Sequence, residues 1–197
     1  MGQIRDFPAR VNFQEAIPVI NEMQADGVIE NYAVAGDSAT SLYLEAVSPR
    51  HLEIVVPLPT LPGKLIVSPT RIFEYLLGKG AIFEGQFMRI GDTKALFVPP
   101  STPLLEEALR EAPLRNLDGH PARVFTADHL AALAFQTGRA NARVLDFAAA
   151  DVLDVDRFHA ILSRHGLMDR WREFLKNQRR SNFRFWILDF GLSRLSS

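Results

Sequence analysis

Apolar positions along the chain alternate between helical spacing and short continuous runs. Residues 12–25 carry a helical pattern, with Asn12 and Glu15 as a capping pair and Gly27 as the stop. Pro18 falls inside that helix and is expected to kink or shorten it. NYAVA (31–35) predicts a short strand, SATSLYLEA (38–46) a helix, and HLEIVVPL (51–58), rich in β-branched residues, a second strand. The Pro-rich PLPTLPGK (57–64) predicts a loop. SPTRIFEYLLGKG (68–80) predicts a helix with Pro69 in its first turn and Gly78 or Gly80 at its end. AIFEGQFMRIGDTKALFVPP (81–100) predicts short strands with a hairpin at Gly91-Asp92. Ser101 opens a helix to about Glu111, and PLRNLDGHPARVFT (113–126) predicts a second hairpin around Asp118-Gly119.

From Thr126 onward the pattern is helical only. TADHLAALAFQTG, ARVLDFAAA, DVDRFHAILSRHG and MDRWREFLKNQ follow one another, with Thr126 and Asp154 as N-caps and Gly138 and Gly166 as stops. The expected fold class is therefore α+β. Residues 1–125 form a mixed sheet flanked by helices, and residues 126–197 form a helical C-terminal segment packed on that core.

Composition narrows the function classes. The 197 residues suffice for a sizeable core, and 47% apolar with 23% charged residues is ordinary for a globular domain. A net charge of −1 gives no global pull towards nucleic acid or an acidic membrane, so any basic site is local. With no cysteine there is no disulfide, thiolate metal site or cysteine nucleophile, which fits the cytoplasm. No apolar run reaches the roughly 20 residues of a membrane span, and MGQIRDFPAR lacks the apolar stretch of a signal peptide.

Candidate chemistry gathers in AVAGDSATSLYLEAVSPRHLEIVVP (33–57). An apolar run ends in Gly36, a helical stretch follows, and the next strand opens with His51 and Glu53. Residues two apart on a strand project to the same side. GVIENYAVAGDSATSLYLEAVSPRHLEIVV, RIFEYLLGKG, MRIGDTKALFVPP and TADHLAALAFQTGRA follow one another over about residues 12–145. In that order the chain resembles the minimal nucleotidyltransferase superfamily, close to its abortive-infection toxin-type branch. The resemblance implies a nucleotidyltransferase-like sheet, a nucleoside triphosphate ligand, and Mg2+ or Mn2+ if the site is active. In such a site two magnesium ions about 3.5–4 Å apart bridge phosphates and activate the attacking oxygen. A strand Asp-x-Asp pair holds them, a third carboxylate comes from a later strand, and a Gly-Gly or Gly-Ser turn offers N–H groups to the triphosphate.

On that pattern Gly36 matches the first glycine, and Asp37 stands at the second small residue. His51 and Glu53 replace the acidic pair, KALFV (94–98) offers no carboxylate, and Arg139 matches a basic residue of the related C-terminal helices. The implied catalytic and metal residues are Glu53, Asp37 and His51. The implied nucleotide contacts are Gly36, Ser38, Arg139 and Arg143. Imidazole is a poor magnesium ligand, and Glu53 moves its carboxylate by about an ångström, enough to cost about 100-fold in rate. A transition metal such as manganese or zinc tolerates His, Glu and Asp better. The site is therefore read as degenerate.

Each of these residues also has a plainer reading. Gly36 can be a strand-to-helix turn, Asp37-Ser38 an N-cap, and His51 a surface group at a strand start. Arg139 and Arg143, at i and i+4, can clamp a phosphate or form a basic face paired with Asp146. Glu106 and Glu107 read as a solvated face and His129 as a helix-surface group. His159 and His165, six apart, form no ligand pair. The tail RWREFLKNQRRSNFRFW interleaves basic and aromatic residues, a composition that can bind single-stranded nucleic acid or dock by packing or self-association; the second is favoured because the rest of the chain is not basic.

Three functions follow in order. The first is a nucleotidyltransferase-fold protein with a degenerate catalytic site that retains a nucleotide- or partner-binding cleft. The second is an active metal-dependent enzyme moving NMP from an NTP to a hydroxyl or protein side chain. The third is a non-enzymatic toxin–antitoxin type module, acting on a protein partner or a second copy through its C-terminal helices.

Overall fold

The structure, a computed structural model, describes residues 13–58, 68–138 and 141–180. Asn12, most of the Pro-rich segment, Arg139 and the tail from Ser181 lie outside the described residues.

The first helix, α1 (Phe13–Ala25), buries Ala16, Ile17, Ile20 and Met23 along one face. It runs on through Pro18, so the expected shortening does not occur. Burying three large apolar side chains at about 1.5–3 kcal/mol each outweighs the roughly 3 kcal/mol that an interior proline costs.

The strand β1 (Ala33–Ala35) turns directly into α2 (Gly36–Thr40), and β2 (Leu52–Val55) returns antiparallel to it. The helix expected over 38–46 starts two residues earlier and ends at Thr40. Beyond it the chain tightens into three-residue turns, Leu42 N–H to Ala39 O at 3.1 Å and Tyr43 N–H to Thr40 O at 3.0 Å. These turns carry the Tyr43 hydroxyl to the Phe125 carbonyl, 3.0 Å away. The N-cap of α2 is Ala35, with no side-chain cap bond, which corrects the reading of Asp37-Ser38 as the cap.

Next come α3 (Thr70–Gly78), β3 (Ile82–Glu84), β4 (Phe87–Ile90), β5 (Thr93–Val98) and α4 (Pro103–Arg110). The five-stranded sheet runs β1-β2-β5-β4-β3. Only the β2–β5 pair is parallel, with Glu53 opposite Leu96. The expected turn at Gly91-Asp92 joins β4 to β5, and Thr102 rather than Ser101 caps α4. A separate hairpin pairs β6 (Leu114–Leu117) with β7 (His120–Arg123). Asp118 and Gly119 both take positive φ there, as a two-residue hairpin turn of this twist requires.

The C-terminal helices are α5 (Ala127–Thr137), α6 (Asn141–Ala149), α7 (Val155–Arg164) and α8 (Met168–Arg180). The Thr126 and Asp154 side chains accept the N–H groups of His129 and Arg157, and Gly138 closes α5 in the left-handed conformation. Trp171 of α8 sits edge-on to Phe135 and Phe158, with ring centres 5.3 and 5.2 Å away, and stacks on Phe174. These aromatics of the basic, aromatic segment are thus core residues. No described helix is long and apolar enough to cross a membrane.

Candidate functional site

Gly36 ends β1 at a positive φ of 55°, a conformation that favours glycine. It also leaves no room for a side chain: a Cβ there would lie 2.6 Å from Cδ of Glu53. The Glu53 carboxylate thus rests on the backbone at the start of α2. Ser38, fully buried on α2, fixes this register. Its hydroxyl donates to the His51 carbonyl at 2.7 Å and accepts the Glu53 N–H at 3.1 Å. Both bonds are made within the chain, so the hydroxyl serves as a staple between α2 and β2.

Burial pushes the Glu53 carboxyl above its ordinary range, and the nearby Asp37 charge adds to this. Asp37 is well exposed, and its Oδ1 lies 3.4 Å from Nη2 of Arg143 on α6. That guanidinium is otherwise poorly matched: its Nη1 is buried and has no hydrogen-bond partner among the described residues. Arg143 therefore pairs with Asp37, and not with Asp146 as a helix-surface pairing would have it.

His51 stands one residue before β2, and its ring lies against Phe87 with centres 5.1 Å apart. On β5 the neighbour of Glu53 is Leu96, so no carboxylate faces it there. The structure thus brings Gly36, Asp37, Ser38, Glu53 and Arg143 together. It does not gather ligand atoms of Glu53, His51 and Asp37 within 4.8 Å of one another.

A second charged cluster lies between α4, α5 and α7, where the sequence reading saw separate surface groups. Glu107 and His129 are buried, which corrects both the solvated-face and the helix-surface readings. Glu107 accepts from Arg164 at 2.5 and 3.3 Å, and its oxygens lie 2.8 Å from His165 Nε2 and 3.4 Å from His129 Nε2. The Arg164 guanidinium, aided by both histidines, holds this carboxyl down to about 2. Burial lowers His129. Glu107, Glu111 and His129 place one ligand atom each within 4.8 Å of one another. Arg164 and Arg157 already hold these carboxylates, at 2.5 and 3.1 Å, so the charges balance without an ion. A signal for this was present: Glu107 falls three and one residues from Leu104 and Ala108, on the apolar face of α4.

The five-stranded mixed sheet, with helix α2 opening at Gly36 beneath Glu53, is a nucleotidyltransferase-like fold. The chain aligns with the crystal structure of an antigenic nucleotidyltransferase-like protein from Paracoccidioides brasiliensis at TM-score 0.53 and 12% identity. That alignment covers 86% of this chain and 94% of the other. A crystal structure of ANT(2'')-Ia in complex with adenylyl-2''-tobramycin aligns at TM-score 0.46 and 15% identity, over 79% of this chain and 97% of that one. The solution structure of the same antibiotic-resistance factor aligns at 0.43 and 13% identity, over 84% and 97%. No protein-family model matches the chain, and no curated protein matches it in sequence. At these identities the likeness is one of fold.

Proposed function

We propose that this chain is a nucleotidyltransferase-fold protein whose transfer site is degenerate and whose cleft still binds a nucleotide. The observation that carries the reading is the contrast between the acids and the base at Gly36. A two-magnesium site needs several hard oxygen ligands converging on one point. Here β2 and β5 offer one carboxylate, Glu53, beside His51 and Leu96. Burial and Asp37 both resist the ionisation of Glu53 that metal binding requires. The donor set does not fit a magnesium pair, and no transfer step is assigned to it.

The phosphate side of the site is better supplied. Arg143 presents a buried N–H group with no partner among the described residues, on a guanidinium that reaches Asp37, the residue after Gly36. A guanidinium in that state is matched by phosphate oxygens, which it holds through paired, charge-assisted bonds. In this reading Gly36 and Arg143 face the phosphates. Ser38 holds the strand and helix that position them.

The test is pyrophosphate release from each nucleoside triphosphate with Mg2+ or Mn2+. The expected result is no release above the protein-free rate, alongside nucleotide binding. Metal-dependent release that disappears in Glu53→Ala would overturn the degenerate reading and establish the second function, NMP transfer.

A further inference from the structure

Three observations at Arg143 do not fit a finished ion pair. Its contact with Asp37 is long, 3.4 Å, on a side chain of Asp37 that is 63% exposed. Its Nη1 is buried without a partner among the described residues. Asp37 itself stands one residue from Gly36, at the start of the helix that the proposed phosphates would approach. A pair with one exposed partner, as here, contributes little stability. The unpartnered buried N–H works against it. The pair is therefore neither a strong clamp nor a satisfied network.

We infer that Asp37 is an internal competitor for the anion at Arg143: the two side chains part when a phosphate binds. This rests on the nucleotide-binding reading above and adds to it a brake on anion affinity. A ligand gains the guanidinium only by displacing one negative charge that the protein already holds there. It must also sit beside that displaced carboxylate. Displacing it costs every anion at Arg143 the same pair, and the carboxylate left beside the site repels a triphosphate more strongly than a monophosphate. Asp37 thereby lowers the affinity of the site for anions and does not choose among them. The exposure of Asp37 gives it room to swing into solvent once released.

The experiment is a metal-free calorimetric titration of ATP and of inorganic tripolyphosphate into the full chain, into Asp37→Asn and into Arg143→Gln. Unfolding curves confirm that each variant is folded. Removing the competitor is expected to tighten binding about five-fold, the affinity equivalent of an exposed ion pair. Arg143→Gln is expected to lose binding, and the double variant to match Arg143→Gln, because without the guanidinium Asp37 has nothing to compete for. ATP is expected to gain at least as much as AMP from Asp37→Asn, because the displaced carboxylate repels the more highly charged ligand more strongly. If Asp37→Asn binds no tighter than the unaltered chain while Arg143→Gln still loses binding, the competitor role is wrong and the nucleotide-binding reading stands. If none of the chains, Asp37→Asn included, takes up ATP or tripolyphosphate, both fail.

Discussion

The protein contains two half-buried sets of charges, and they are built in opposite ways. At Glu107 a buried carboxylate is met from every side, by Arg164 and by the two histidines His165 and His129. At Gly36 the half-buried carboxyl of Glu53 has no cation paired with it among the described residues, and the guanidinium of Arg143 contacts the exposed Asp37 instead. The first set depresses a pKa and the second raises one. Charges that satisfy one another hold elements together, whereas charges left unmatched are available to a ligand.

Breaking the satisfied set is expected to have the largest effect. Glu107→Ala takes the buried partner from half-exposed Arg164 and from His165 and His129, and should cost about 1–3 kcal/mol of unfolding free energy. Glu53→Gln, a neutral isostere of a carboxyl that already resists ionisation, should cost nothing or stabilise. Denaturant unfolding of the two variants side by side checks the contrast, and equal losses would erase it. The pH profile should separate them too. Glu107 binds its proton more weakly in the native state than in the unfolded chain, so its stabilisation is complete above about 4.5 and is lost as pH falls towards about 2. His129 and His159, both lowered by burial, are protonated first in the unfolded chain, so stability also falls as pH drops through 6.5. Glu53, raised in the native state, works in the opposite direction and favours folding as pH falls. Glu107→Gln should flatten the acid limb and, because the Glu107 charge favours protonated His129, steepen the histidine limb.

Gly36→Ala comes next. The positive φ alone should cost about 1 kcal/mol, and the clash of the new Cβ with Glu53 adds to it. Adding Glu53→Ala should recover the clash and leave the backbone cost. If the double variant recovers nothing, the carboxylate does not rest on Gly36 in solution. The smallest stability effect belongs to Arg143→Gln, under about 1 kcal/mol, because its ion pair is exposed. The same change should remove nucleotide binding, so stability and binding are predicted to respond in opposite order at the two charged sets.

Much of the fold was legible because local chemistry and tertiary structure agree. Thr126, Asp154 and Gly138 cap where capping residues are expected, and Asp118-Gly119 turns where its positive φ is affordable only to such residues. The short α2 was misread because SATSLYLEA has helical spacing, while its chain is drawn into turns by the distant carbonyl of Phe125. Within the candidate site, Gly36 and Glu53 could be singled out by resemblance to a strand–turn–helix pattern. The pairing of Arg143 with Asp37 joins residues 106 positions apart by sequence numbering, and local spacing pointed to Asp146 instead. Glu107 was missed for a different reason: its charge outweighed its place on the apolar face of α4, where Arg164, His165 and His129 from later helices make burial tolerable.

The central claim is that the Gly36–Arg143 site binds a nucleotide although its acidic residues do not support transfer. Thermal unfolding in the presence of each nucleoside triphosphate, with and without Mn2+, tests it most directly. A ligand at 100 times its dissociation constant stabilises the native state by about 2.7 kcal/mol, well within reach of the measurement. The account predicts a stabilising shift that does not require Mn2+ and that Arg143→Gln abolishes. An unchanged transition with every nucleotide, with and without metal, would contradict it.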